Sequence, residues 1–215
     1  MPYPAGHREE VRERIVLSAR KLFNQFGFDQ VSLDRIMADA GLTRGGFYSY
    51  FESKSELYAE AMQCFFTDPN WKNSWDGVQV NADAADFGPQ IVRAYLSRQH
   101  FEDVANSCPM VALPSDVARG GQTTKAPFEK IFRAMTAVLE KNLAHGDENR
   151  HGRAQAIAAL CVGGMVVARA LQNRQLADQL REAAMSVALQ LGGWNQDSSG
   201  LPIPESPFAE PSLGI

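Results

Sequence analysis

Residues 43–51 read TRGGFYSYF, and this stretch decides what kind of fold the chain has. Two adjacent glycines, Gly45 and Gly46, sit between segments with good helical patterning. Glycine inside a helix costs about 1 kcal/mol relative to alanine, so a pair within two turns needs a compensating use. Phe47, Tyr48, Tyr50 and Phe51 surround them. On a helical wheel Phe47 and Phe51 share one face, which predicts packing on Leu22, Phe26 and Ile36. Gly45 and Ser49 lie opposite, with Arg44 and Tyr48 on one flank and Gly46 and Tyr50 on the other. Such a surface is small in the middle and rimmed by hydrogen-bonding groups. It lets a backbone approach another molecule closely, and its rim suits phosphates and base edges. The plainer alternative is that the glycines only permit tight helix packing.

The flanking residues favour the first reading. Upstream, Ile15, Ala19, Leu22, Phe23 and Phe26 mark one face of an amphipathic helix from Arg8, and Gly27 stops it. Ser32 is placed to cap a short second helix, with Asp34 in its first turn and Leu33, Ile36 and Met37 inward. "AGL" at 40–42 breaks that helix, and Thr43 is placed to cap a third. Ser53 and Glu56 form a capping box opening a fourth, which runs to Phe66. Residues 32–51 therefore read as helix, tight turn at Gly41, helix, the motif whose second helix enters a DNA major groove. Lys54 adds weight. A cation at a helix N-terminus opposes the helix dipole, and a phosphate bound there would reverse that penalty. Otherwise Lys54 is a solvated surface residue.

The run "VSLDRIMADAGLTRGGFYSYFESKSELYAEAM" resembles the N-terminal DNA-binding domain of the tetracycline-repressor-type (TetR/AcrR) family of bacterial transcriptional regulators. The pattern matches over roughly 8–62, and "GLTRGGFYSYFESKSELY" is its most specific part. The resemblance implies an all-α homodimeric repressor, with three N-terminal helices on operator DNA and a larger domain that binds a small-molecule effector and dimerises. By motif position it implies DNA contacts from Ser32, Thr43, Arg44, Gly45, Tyr48, Tyr50 and Lys54. Further on, "AYLSRQHFEDVANSCPMVALPSDVAR" is similar to a subgroup with a Cys-Pro helix start, which fixes no effector.

The remaining chain also reads as helices. Pro89 suits the first turn of a helix spanning 89–101. Cys108-Pro109 opens a short helix that stops at Gly120-Gly121. A longer one carries Phe128, Ile131, Phe132, Met135, Val138, Leu139 and Leu143 and ends at Gly146. Two more cover about 152–173 and 176–191, the first uncharged from 154 to 168. With no strand alternation the fold class is all-α. The expected division is a helix-turn-helix domain over 8–54, a helical effector-binding and dimerisation domain over 55–191, and a mobile tail over 192–215.

Composition narrows the function classes. Net charge is −4, and residues 1–60 carry eight Lys/Arg against nine Asp/Glu, so any DNA affinity must come from a few well-placed contacts. Three scattered cysteines argue for a reducing, cytoplasmic setting. The uncharged stretch of fifteen residues is short for a membrane span. His7, His100, His145 and His151 lack metal-ligand spacing, and no phosphate loop or dinucleotide fingerprint is present. An enzyme is not indicated, and no metal or cofactor is expected.

Three candidate sites remain. Phe101, Met110, Val111, Phe128, Phe132 and Met135 are apolar residues not claimed by the DNA-binding motif. They predict a pocket for a hydrophobic or aromatic effector, with plain core as the alternative. Gly163, Gly164, Leu180 and Val187 on the last two helices predict the dimer interface, or else packing within one subunit. Cys108 stands at an N-cap position, where a helix dipole lowers a thiol pKa. It predicts either a redox- or electrophile-sensing thiol or a packing group.

Overall fold

Residues 6–64, 80–81, 83–144 and 148–194 are described in a computed structural model, and every regular element among them is a helix. The ends expected at Phe66 and Gly146, most of the loop after Phe66, and the tail beyond 194 lie outside the described residues.

Helix α1, His7–Gln30, buries Val11, Ile15, Ala19, Leu22 and Phe23. It is interrupted where expected, at Gly27, whose φ of 75° and ψ of 170° leave the helical region. Beyond the break Phe28 turns inward, 5.9 Å from the Phe23 ring and 4.9 Å from that of Tyr58. Phe26 therefore does not join the core beneath Phe47 and Phe51. It stays exposed, with the Arg35 guanidinium 3.8 Å above its ring.

Helix α2, Leu33–Asp39, starts at Ser32, whose hydroxyl accepts the Arg35 N–H at 3.1 Å. Gly41 turns the chain at φ 70°. The expected third α-helix is instead a six-residue 3-10 helix, Arg44–Ser49, and Thr43 makes no side-chain cap. Two glycines weaken α-helical propensity over a segment too short to recover it by cooperativity. Helix α3, Lys54–Gln63, opens with Ser53 accepting the Glu56 N–H. The Glu56 carboxylate reaches back to the Glu52 N–H at 2.6 Å, closing the capping box one residue early.

Seven helices follow: α4 Phe87–Tyr95, α5 Arg98–Glu102, α6 Pro109–Ala112, α7 Pro114–Arg119, α8 Gln122–Lys141, α9 Arg150–Ala170 and α10 Arg174–Gly192. The helix expected from Pro89 to Phe101 is thus two. Pro89 sits third in α4, where a missing N–H still costs no intrahelical bond. Ser97 then captures the His100 N–H at 3.1 Å and restarts the chain as α5. The segment after Cys108 is also two, because Pro114 cannot continue the ladder.

One hydrophobic core runs from α1 through α9 and α10. In α9, Ala154, Ile157, Ala158, Cys161, Met165 and Ala168 are fully buried at helical spacing. The helix is long and apolar enough to span a membrane by composition alone, but this face makes it a core helix. The first residues of the tail expected from 192 are held in place instead. Gly192 closes α10, Gly193 turns at φ 69°, and the Trp194 indole N–H donates to the Asn142 carbonyl at 3.2 Å. A Cβ on Gly88 would lie 2.7 Å from that indole, so the tryptophan fills space kept open by a glycine.

Candidate nucleic-acid interface

The 3-10 helix is anchored from beneath and open above. Phe47 and Phe51 are buried, their rings 5.8 Å apart, each burial contributing about 1.5–3 kcal/mol. Gly46 faces inward, where an added Cβ would meet the Met37 methyl at 3.8 Å. Gly45 faces open space, with nothing within 4 Å of such an atom. Tyr48 is 67% exposed although its ring meets Phe47 edge-on at 5.2 Å. Thr43 and Ser49 are exposed as well, while Tyr50 is half-buried against the core.

The cations are less free than the sequence suggests. Arg44 forms an exposed ion pair with Asp34 at 2.9 Å, worth about 1 kcal/mol at most. Lys54 folds back rather than outward: its ammonium donates to the Phe28 carbonyl and lies 4.2 Å from the Phe28 ring centre. Burial lowers its pKa, with Asp29 and Asp116 opposing that shift. The exposed N-terminal cation expected at this helix is therefore a tether between α1 and α3. The Phe28 carbonyl offers its charge a nearer partner than solvent does.

Two arginines that the pattern did not single out hold the element in place. Arg8 donates to the Ser49 carbonyl at 2.8 Å. Arg12 donates to the Tyr50 carbonyl, lies 4.1 Å over the Phe51 ring and binds Glu60 through Nε at 3.1 Å. The Glu60 hydrogen bond is the main reason its pKa is raised. Arg8 and Arg12 stand one helical turn apart on α1, a spacing visible in the sequence. Their targets are backbone carbonyls, which no side-chain pattern reveals.

The other candidate residues are spread through the second half. Met110 and Val111 are buried, while Phe101, Phe128, Phe132 and Met135 pack half-buried against the same core. On the last two helices Gly163 is exposed with nothing within 4 Å of an added Cβ, Val187 is 44% exposed and Leu180 half-buried. Val167 and Leu176 on the same two helices are exposed as well. Gly164 departs from the expectation. Its Cβ would lie 2.7 Å from that of Ala184 and 3.3 Å from Leu96, so its close approach is to α10 and α4 of its own subunit.

Cys108 is buried and its side chain makes no cap. Burial pushes its pKa up to about 11, the reverse of the lowering expected from a helix dipole. Four-residue α6 is too short to supply much dipole, and desolvation dominates. Among the described residues no acidic, His or Cys cluster could hold a metal.

Residues 15–61 match the family model for bacterial regulatory proteins of the tetR family. The HTH-type transcriptional regulator SrpR of Pseudomonas putida is 32% identical over 94 residues, spanning 40% of this chain and 44% of that protein. An uncharacterized HTH-type transcriptional regulator of Pseudomonas putida, TtgW, is 31% identical over 94 residues, 40% of this chain and 70% of TtgW. The chain belongs to the TetR family. A likeness in fold extends over most of the chain. The solved SmeT–triclosan complex superposes with a TM-score of 0.60 at 21% identity, covering 91% of this TetR-family chain and all of that one. The chain spans under half the length of SrpR.

Proposed function

We propose that this TetR-family chain is a cytoplasmic, sequence-specific DNA-binding transcriptional regulator. It acts as a homodimer, most simply as a repressor released from its operator by a small hydrophobic or aromatic effector. The observation that carries the reading is the 3-10 helix, clamped by buried Phe47 and Phe51 while Arg44, Gly45 and Tyr48 face outward together. Ser32, Thr43, Tyr50 and Lys54 complete the proposed contact set. Arg44 must exchange Asp34 for a base edge or phosphate, and Lys54 must leave Phe28 to reach the backbone.

The outward-facing Gly163, Val167, Leu176 and Val187, with half-buried Leu180, support pairing of α9 and α10 with their copies. An apolar face of this kind is costly to leave in water. The effector reading draws on the apolar residues Phe101, Met110, Val111, Phe128, Phe132 and Met135 and on the triclosan held by SmeT. A thiol-sensor reading gains nothing from a buried Cys108 whose pKa is raised.

Footprinting the purified protein on genomic DNA tests the proposal directly and should yield a pseudo-palindrome with half-sites about one helical turn apart. On that site Arg44→Ala should lose about 1–3 kcal/mol and relax preference at one or two positions per half-site. Lys54→Ala should weaken all sequences alike. No protected site, or unchanged affinity and preference in both variants, would sink the DNA assignment.

A further inference from the structure

Residues 103–108, between α5 and α6, adopt no regular helix or strand, yet they are held from two sides. From the DNA-binding end, the Asn24 amide of α1 donates to the Ala105 carbonyl at 3.0 Å and the Ser107 carbonyl at 2.9 Å. Arg20, one turn earlier, donates to the Asn106 carbonyl at 3.1 Å. From the helical body, Arg169 of α9 donates to the Phe101 carbonyl at 3.2 Å, to the Ser107 hydroxyl at 2.9 Å and to the His100 carbonyl.

The protonation of His100 follows from its partners. Its Nε2 receives the Cys108 backbone N–H at 3.3 Å, and an N–H cannot accept, so the ring proton sits on Nδ1 and is donated to the Tyr95 carbonyl at 2.6 Å. The Ser107 hydroxyl, 3.1 Å from Nε2, then donates to the ring while accepting from Arg169. Ser107 is thereby shared between two distant helices, its carbonyl on Asn24 of α1 and its hydroxyl on Arg169 of α9. Ser107, Asn24 and His100 are all buried, and a buried polar group left without a partner is costly. A second tie lies one turn along α1, where the Asp116 carboxylate of α7 accepts the Phe28 N–H at 2.8 Å, just past the break at Gly27.

We propose that Asn24 and Ser107 fix the separation and angle of each DNA-binding head relative to the α9–α10 face, and so determine which half-site spacing the dimer accepts. The proposal rests on the reading of the chain as a DNA-binding dimer. If α9 and α10 form the common face, the heads have no direct connection, and the docking of α1 sets how far apart they stand. Two hydrogen bonds from one amide to carbonyls two residues apart resist rotation as well as separation. Asn24 and Ser107 are positioning residues, since neither faces the proposed DNA surface.

The test uses a duplex selected by the wild-type protein from a random library, then rebuilt with the same half-sites and a spacer one or two base pairs shorter or longer. The wild type should lose about tenfold in affinity per base pair of change, because protein or DNA must deform to compensate. Asn24→Ala should flatten that loss to about threefold or less while binding a single half-site as the wild type does. Ser107→Ala, which keeps the carbonyl and removes only the hydroxyl, should give a smaller flattening and takes over the test if Asn24→Ala does not fold. A folded variant with the wild-type spacing preference would overturn the proposal, and so would an equal loss on every spacer, which marks simple destabilisation. Failure of the wild type to select any duplex would overturn both this proposal and the DNA-binding reading.

Discussion

Two glycine pairs invite the same reading and serve different ends. Gly45-Gly46 and Gly163-Gly164 each place one residue outward with nothing within 4 Å and one inward. The inward distances differ sharply: 3.8 Å from a flexible methionine methyl at Gly46, but 2.7 Å from the Ala184 Cβ at Gly164. In the first pair the backbone has room and uses it to leave α-helical geometry. In the second, a helix of 21 residues keeps its form and spends one glycine on contact with its neighbour. The dipeptide is therefore informative only with its context. A short segment flanked by turns yields to glycine, while a long one packed on both sides absorbs it.

The difference can be broken most forcefully at Gly164. Leucine there must displace a Cβ attached to backbone, so a loss of about 3 kcal/mol is expected, toward the upper end for overpacking. For a chain of this size that is roughly 6–12 °C in melting temperature. The loss should persist at protein concentrations where any dimer has dissociated. If the variant melts normally, the contact described between α9 and α10 is wrong.

Acid should act on the junction between the two regions. Burial is the main cause depressing the His100 pKa to about 4. Its folded form thus binds a proton less readily than the unfolded chain, whose histidine titrates near 6.5. The contribution to stability is complete above 6.5 and is lost as pH falls toward 4, by about 2–3 kcal/mol. Denaturant titrations across that window should slope less in His100→Gln than in the wild type, and equal slopes would dismiss the assignment.

Val187→Glu tests the outward half of the second pair. A carboxylate in an apolar face that meets its own copy should weaken the dimer by about 2 kcal/mol, measured by sedimentation, with little change in monomer stability. A variant as dimeric as the wild type would place the interface elsewhere. The smallest effect belongs to Gly45→Ala. With open space around the new methyl, the free protein should be unchanged or up to about 1 kcal/mol more stable. Operator affinity should nonetheless fall, because the methyl stands where DNA is proposed to approach. Unaltered affinity would remove Gly45 from the contact surface.

Helix count and most starts at the N-terminal end are legible in the sequence because caps and apolar spacing are local. Ser32, Gly41 and Ser53 do what their residue types predict within four positions. Further along, legibility falls where the determining partner is distant or is backbone. No periodicity tells that Phe28 rather than Phe26 enters the core, since the break at Gly27 resets the face. Lys54 on the Phe28 carbonyl, Arg12 on that of Tyr50 and Asn24 on that of Ser107 are all side chains recognising main chain far along the sequence. Gly164 misleads for a related reason: small residues signal close approach without saying to what. The proposed effector pocket is the least legible, because residues lining a cavity and residues filling a core share one composition.

Trp194 has a mechanical consequence. Its indole bonds the end of α8 at Asn142, covers Gly88 at the start of α4 and packs on Gly192 at the end of α10. Near the same end, the start of α9 meets α8 through His151 and Glu140, 2.9 Å apart. These four helices are therefore gathered at one end by shared contacts, while at the far end of α9 Arg169 bonds Ser107, whose carbonyl Asn24 of α1 also holds. An α-helix of 20 residues is about 30 Å long, so a tilt of about 5° displaces the far end by roughly 2.6 Å, close to the length of a hydrogen bond. A rigid tilt of α9 about its His151 end would accordingly move most at Arg169, the residue that bonds Ser107.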